Sequence, residues 1–244
     1  MQPGLPLLLP EENNLTVGFN TDEVQENALI TRIALVEKQT IEYLAVCPVL
    51  KTAANLWEII VDGNYLKPLD LEDLRDELRT PVQKHRYDQF MEEYATLTNV
   101  VSTHLTKHKA FVKAEAYQKE IVAHRNISAV STDEYIRFSC YTLILCKFFK
   151  ELFICYLFQH NNEALGNIVH IYHNMFKTVA ATDYSKFDGA QNAKTFALEQ
   201  IIYLSCIAPH HRNEFSLLMN KTTQNVFECG AIKYRPNYTY CRMG

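Results

Sequence analysis

Glycine and proline are scarce through the middle of this chain. The 244 residues include 7 glycines and 8 prolines, with no glycine between Gly63 and Gly166 and no proline between Pro81 and Pro209. Tight β-hairpins and the loops that cradle nucleotide phosphates both depend on glycine. A stretch this long without either residue therefore predicts long helices.

Apolar residues at helical spacing and well-placed capping residues predict an all-α fold. We expect a single compact multi-helix bundle of about seven or eight helices, with extended N- and C-terminal arms. Helix starts are indicated at Thr80, at Ser131 with Glu134 three residues later, and at Asn161 or Asn162. The segment 131–159 is apolar nearly all round, which predicts the central helix of the bundle.

Charge is unevenly distributed along the chain. Residues 1–80 contain 14 acidic and 6 basic residues, whereas residues 81–244 contain 14 acidic and 18 basic residues. We therefore expect the helical domain to have an acidic lobe at 21–80 and a basic lobe at 81–228. The predicted division is an N-terminal arm at 1–20, a helical domain at 21–228 and a C-terminal arm at 229–244.

One basic stretch is a candidate nucleic-acid-binding surface. Phe111 and Tyr117 are interleaved with its cations, a pattern typical of surfaces that bind phosphates and stack bases. The alternative interpretation is an ordinary solvated helix face. The candidate nucleic-acid-binding residues are Lys107, Lys109, Lys113, Lys119 and Arg125.

The C-terminal arm is a second candidate surface, for a protein partner. It is positively charged and rich in tyrosine, and tyrosine and arginine often anchor interfaces. The alternative is that the arm packs over its own domain. The candidate partner-binding residues are Tyr234, Arg235, Tyr238 and Tyr240.

Sequence signals for catalysis are absent. The chain has no GxGxxG, GxxxxGK[ST] or GxSxG motif, and no cysteine has an activating base beside it in sequence. His104 and His108 are spaced as two ligands on one helix face, but their neighbours are lysines, which repel a metal ion. We expect no catalytic residues, no cofactor and no metal site, and we predict that the protein is not an enzyme.

Cysteine usage and hydropathy predict an intracellular protein. The 7 cysteines include no CxxC pair and their number is odd, which favours free thiols in a reducing compartment, the cytoplasm or the nucleus. The most apolar stretch, 138–158, is interrupted by Lys147, Lys150 and Glu151, so we expect a buried helix and no membrane span.

Three functions remain open on these observations. The favoured hypothesis is a non-enzymatic helical interaction or assembly subunit, whose partner is another protein or a second copy of the chain. The first alternative is a nucleic-acid-binding, nucleocapsid-like helical protein that uses a basic helix face. The second alternative is an enzyme whose site is assembled from residues scattered in sequence.

Overall fold

The computed structural model is predominantly helical, and it also contains a four-stranded sheet and a two-stranded ladder. It describes residues 16–17, 21–29, 52, 55–57, 59–94, 107–113, 116–117, 124–153, 160–178, 180, 193–224 and 226–234.

The helices occupy both halves of the chain. Residues 55–57 and 59–61 are helical, and a short 3-10 turn at Pro209–His211 precedes the last helix. The helices with defined bounds are α1 (Asp22–Leu29), α2 (Leu71–Glu77), α3 (Pro81–Tyr94), α4 (Thr132–Leu152), α5 (Asn162–Met175), α6 (Ala193–Cys206) and α7 (Arg212–Gln224).

Three of the predicted helix starts are confirmed by their hydrogen bonds. Before α3, the Thr80 hydroxyl accepts from the Gln83 N–H at 3.2 Å, and the Gln83 side-chain oxygen accepts from the Thr80 N–H at 3.0 Å. Ser131 and Asn161 each accept, through the side chain, from the backbone N–H three residues ahead. These bonds satisfy N–H groups that have no partner within the helix.

Helix α4 lies at the centre of the main core, as predicted, and α2, α3 and α7 pack against it. Tyr141 on α4 stacks on Phe215 of α7, with ring centroids 4.6 Å apart. The buried side chains of α4 extend only as far as Leu145, and Leu152 in its last turn is 39% exposed. The other fully buried core residues include Leu74, Phe90, Ile136, Ile207 and Leu218.

A mixed sheet brings together strands from either side of these helices. Its order is β4-β2-β5-β6; β2 pairs antiparallel with β4 and parallel with β5, and β5 pairs antiparallel with β6. Helix α1 contributes Leu29 to a small core with Ala110, Phe227 and Cys229. The strands are β2 (Lys107–Val112), β4 (Asn126–Ala129), β5 (Val226–Cys229) and β6 (Ile232–Tyr234); β1 (Thr16–Val17) pairs separately with β3 (Ala116–Tyr117).

The turn between β5 and β6 requires glycine. Gly230 has a φ of 59°, in the left-handed region that residues with a Cβ seldom adopt. A Cβ at this position would also collide with the side chains of Gln25 and Asp22 on α1. A side chain at this position would therefore strain the backbone and require Gln25 and Asp22 to move.

The sheet shows that the all-α prediction is wrong. Along β2, His108, Ala110 and Val112 are buried, while Lys109 and Phe111 are exposed. This alternation is the signature of a half-buried strand, but it is weak in the sequence because a histidine and an alanine occupy two of the inward positions. The fold is thus helical with a mixed sheet, and it is not a pure helix bundle.

No helix within the ranges given above is long and apolar enough to cross a membrane.

Candidate functional site

The side of the four-stranded sheet that faces away from α1, hereafter the outer sheet face, carries most of its cations. Lys109 lies on β2, Lys113 directly follows β2, and Lys233 lies on β6. Lys109 and Lys233 are exposed, and Lys113 is half-buried. The Lys113 N–H donates to the Arg125 carbonyl oxygen at 2.8 Å, which extends the β2–β4 ladder by one pair. Lys113 and the exposed Arg125 therefore lie side by side on this face.

An exposed aromatic ring lies between two rows of charge. In one row, Lys109 is opposite Glu228 on β5, and Glu228 is opposite Lys233 on β6, with 3.2 Å between the Lys233 ammonium and the Glu228 carboxylate. The other row is Lys113 with Arg125. Phe111 lies between the rows and is 40% exposed. The arrangement suits a ligand that has both negative charge and a flat apolar face.

The structure tests where the predicted basic residues lie. Lys109, Lys113 and Arg125 are brought together, but on β2 and directly beside the paired ends of β2 and β4, so the prediction of a basic helix face is wrong. Lys107 is the first residue of β2, and Lys119 lies outside the residues that the structure describes. Sequence reasoning missed Lys233, which joins this face only through the β5–β6 hairpin.

A buried polar network lies on the opposite side of the sheet. Glu134, in the first turn of α4, accepts from the Lys221 ammonium and from His108 Nε2, each at 2.9 Å. The Ser131 N–H donates to His108 Nδ1 at 3.0 Å, so Nε2 carries the proton of the imidazole. His108, Glu134 and Lys221 are 3%, 5% and 6% exposed, respectively.

This network replaces part of the predicted capping box. The box predicts that the Glu134 side chain bonds back to the Ser131 N–H, but that N–H is taken by His108 and the Glu134 carboxylate turns to Lys221. The three side chains connect β2, α4 and α7. Because all three are buried, we interpret the network as a link that holds the sheet to the helices.

A second polar cluster surrounds Tyr141, whose hydroxyl donates to Glu214 at 2.7 Å. Burial, and then this hydrogen bond, raise the pKa of Tyr141 well above its usual range. Burial raises the pKa of the neighbouring Cys140 to about 12, with a further contribution from Glu214. Both groups therefore stay protonated at neutral pH, which makes Cys140 a poor nucleophile.

The described residues give little information on the predicted histidine pair and the partner-binding arm. In the part of the chain that the structure describes, no group of three or more His, Cys, Asp or Glu residues is arranged to hold a metal ion. His104 of the proposed histidine pair lies outside that part. Tyr234 is the last residue of β6, and the other candidate partner-binding residues, Arg235, Tyr238 and Tyr240, also lie outside it, so partner binding by the C-terminal arm stays a prediction.

Comparison with known proteins points in a different direction from the favoured hypothesis. No protein-family model matches the sequence. The chain is similar to the RNA-directed RNA polymerase of Pieris rapae virus, with 24% identity over 228 residues. The alignment covers 91% of this chain and 21% of that protein, so the chain spans about a fifth of its relative's length.

This similarity corrects two predictions about function. The relative is an enzyme, and the similarity extends over nearly the whole chain. It contradicts both the non-enzymatic interaction or assembly subunit and the prediction that the protein is not an enzyme. The nucleocapsid-like alternative depended on a basic helix face, and that part of it is wrong, since Lys107 and Lys109 lie on strand β2.

Proposed function

We propose that the chain acts in RNA-directed RNA synthesis, as a part of an RNA polymerase that holds RNA. The observation that carries the proposal is the similarity to the Pieris rapae virus polymerase over 91% of the chain. Because the chain spans only 21% of that protein, we assign it one task within the enzyme.

The outer sheet face supports the task of holding RNA. Lys109, Lys113, Arg125 and Lys233 place four cations on one surface, and cations that contact phosphates supply most of the affinity of nucleic-acid binders. The net charge of the whole chain is −4, but residues 1–80 carry 14 of its 28 acidic residues. Residues 81–244, which include all four strands of the sheet, carry 14 acidic and 18 basic residues.

A chimeric polymerase tests the proposal. The matched segment of the Pieris rapae virus polymerase is replaced by this chain, and incorporation of labelled nucleotide is measured with and without an RNA template. The unmodified polymerase is the positive control, and the same polymerase without the segment is the negative control. We expect template-dependent synthesis well above the negative control, because the inserted chain performs the same task.

RNA binding by the isolated chain provides a second, independent measurement. Fluorescence anisotropy with labelled RNA at low salt should show saturable binding that weakens steeply as salt is added. A chimera no more active than the negative control would contradict the assignment to RNA-directed RNA synthesis. An isolated chain that is folded by circular dichroism but binds no RNA would contradict the task of holding RNA.

A further inference from the structure

We infer that the outer sheet face binds single-stranded RNA, with one base stacked on Phe111 and the flanking phosphates held by the cations on either side. The inference rests on the proposed function and gives it a place on the molecule. It draws on three features of the face: the exposed ring, the two rows of charge and the open strand surface.

The exposed ring favours an unpaired base. Phe111 is 40% exposed, although the residues before and after it, Ala110 and Val112, are buried. Every base has a flat face that stacks on an aromatic ring, and proteins that bind single strands use such rings on sheets. In a duplex the base faces are covered by their neighbours, so a duplex offers Phe111 nothing to stack on.

Positive charge lies on both sides of the stacked base along the direction of β2. Lys109 and Lys233 lie on one side of Phe111, and Lys113 and Arg125 lie on the other. At about 3.3 Å per residue, Lys109 and Lys113 are roughly 13 Å apart along β2, which suits about two or three nucleotides. An RNA strand that crosses this face thus meets positive charge on both sides of Phe111.

Glu228, an acidic residue on this face, does not oppose the arrangement. Glu228 is paired with Lys233 at 3.2 Å, and the Lys233 side chain remains 62% exposed. Lys233 can therefore contact a phosphate while it offsets the carboxylate. Because lysine acts as a point charge toward phosphate, binding should tolerate any RNA sequence.

Anisotropy titrations of a labelled ten-nucleotide poly-U RNA, and of a duplex RNA of the same length, test the inference on the full chain. Phe111→Ala should weaken single-strand binding about 5- to 150-fold, since stacking is worth about 1–3 kcal/mol per base. Phe111→Trp should retain the affinity because it preserves stacking. Phe153→Ala is the matched control and should leave binding unchanged, since Phe153 is 37% exposed and follows the end of α4 that lies away from the sheet.

The cations are tested by their effect on salt dependence. Replacing both Lys109 and Lys113 with glutamine should lower the slope of log affinity against log salt by about 1.4, because each single-strand phosphate that a lysine neutralises adds about 0.7 to the slope. Lys150→Gln, at an exposed position on α4, should leave the slope unchanged. Circular dichroism melting curves establish that each variant is folded.

Several results would overturn the inference. One is an affinity of Phe111→Ala for single-stranded RNA within twofold of that of the unmodified chain. The others are an equal loss of affinity for single-stranded and duplex RNA, or no RNA binding by the unmodified chain at low salt. If Phe111→Ala unfolds the chain, crosslinking of 4-thiouridine RNA to the unmodified chain decides: crosslinks at β2 support the inference and crosslinks only elsewhere overturn it. If the variants do not change RNA affinity, the inference is wrong and the proposed function stands. If the chimera is inactive but the variants change RNA affinity as expected, the proposed function is wrong and the inference stands.

Discussion

Replacing Glu134 with glutamine tests the interpretation of the buried network. The change keeps the volume of the side chain but removes its charge. It leaves the ammonium of Lys221, whose side chain is 7% exposed, without its carboxylate. Removing one partner of a buried ion pair costs about 3–5 kcal/mol. We expect a loss near the lower end, about 3–4 kcal/mol, because the glutamine oxygen still accepts one hydrogen bond.

The amide group of the new glutamine contributes to this loss. One carboxylate oxygen of Glu134 accepts from the Lys221 ammonium, and the other accepts from His108 Nε2. A glutamine has one acceptor oxygen, so its NH₂ group must face one of those donors. His108 cannot relieve the conflict by moving its proton to Nδ1, because that atom already accepts from the Ser131 N–H.

Thermal unfolding followed by circular dichroism measures the effect. For a chain of this size, 3–4 kcal/mol corresponds to a decrease in Tm of about 6–16 °C. Glu151→Gln, at an exposed position near the end of α4, is the matched control and should change the stability by less than about 0.5 kcal/mol. Adding Lys221→Met to Glu134→Gln should restore part of the lost stability, since it removes the unpaired ammonium. A loss below about 1 kcal/mol for Glu134→Gln would refute the reasoning.

Three further predictions concern the core and its titrating groups. Phe215→Ala should destabilise the fold by about 3–5 kcal/mol in urea unfolding, because the ring is fully buried and stacks on Tyr141; a loss under about 1 kcal/mol would contradict this packing. Burial raises the pKa of Cys140 to about 12 and that of Cys206 to about 11, so mass spectrometry should find both unmodified by iodoacetamide in native protein and both modified in urea. Burial, together with the adjacent His210, lowers the pKa of His211, so the folded protein favours the neutral imidazole. The stability that this neutral imidazole contributes should be present above about pH 6.5 and lost as the pH falls through the lowered pKa. In Tm measurements across this pH range, His211→Gln should reduce that loss of stability.

Local signals in the sequence predicted the helices well. The starts at Thr80, Ser131 and Asn161 depend on hydrogen bonds between residues three apart, so the residues that make them are visible together in the sequence. The central position of α4 followed from its apolar composition. These features require no knowledge of where distant parts of the chain meet.

The sheet and the buried network could not be predicted in this way. The pairing of Lys107 with Val226 joins strands from opposite sides of the helical region, and Glu134 and Lys221 are 87 residues apart. No local pattern selects such partners. The candidate site was predicted in part, because the cations Lys109, Lys113 and Arg125 are close in sequence; the face that unites them with Lys233 depends on the distant β5–β6 hairpin.

The parallel pairing of β2 with β5 has a consequence for the order in which the protein folds. Strands from before α4 and after α7 must meet, and closing so long a loop is slow compared with forming helices. We therefore expect the helices and the local β2–β4 pair to form first, and the β2–β5 pairing to form last. The outer sheet face is then complete only in chains that have finished folding, so a C-terminally shortened chain would keep its helices while lacking Lys233 and a complete surface for RNA.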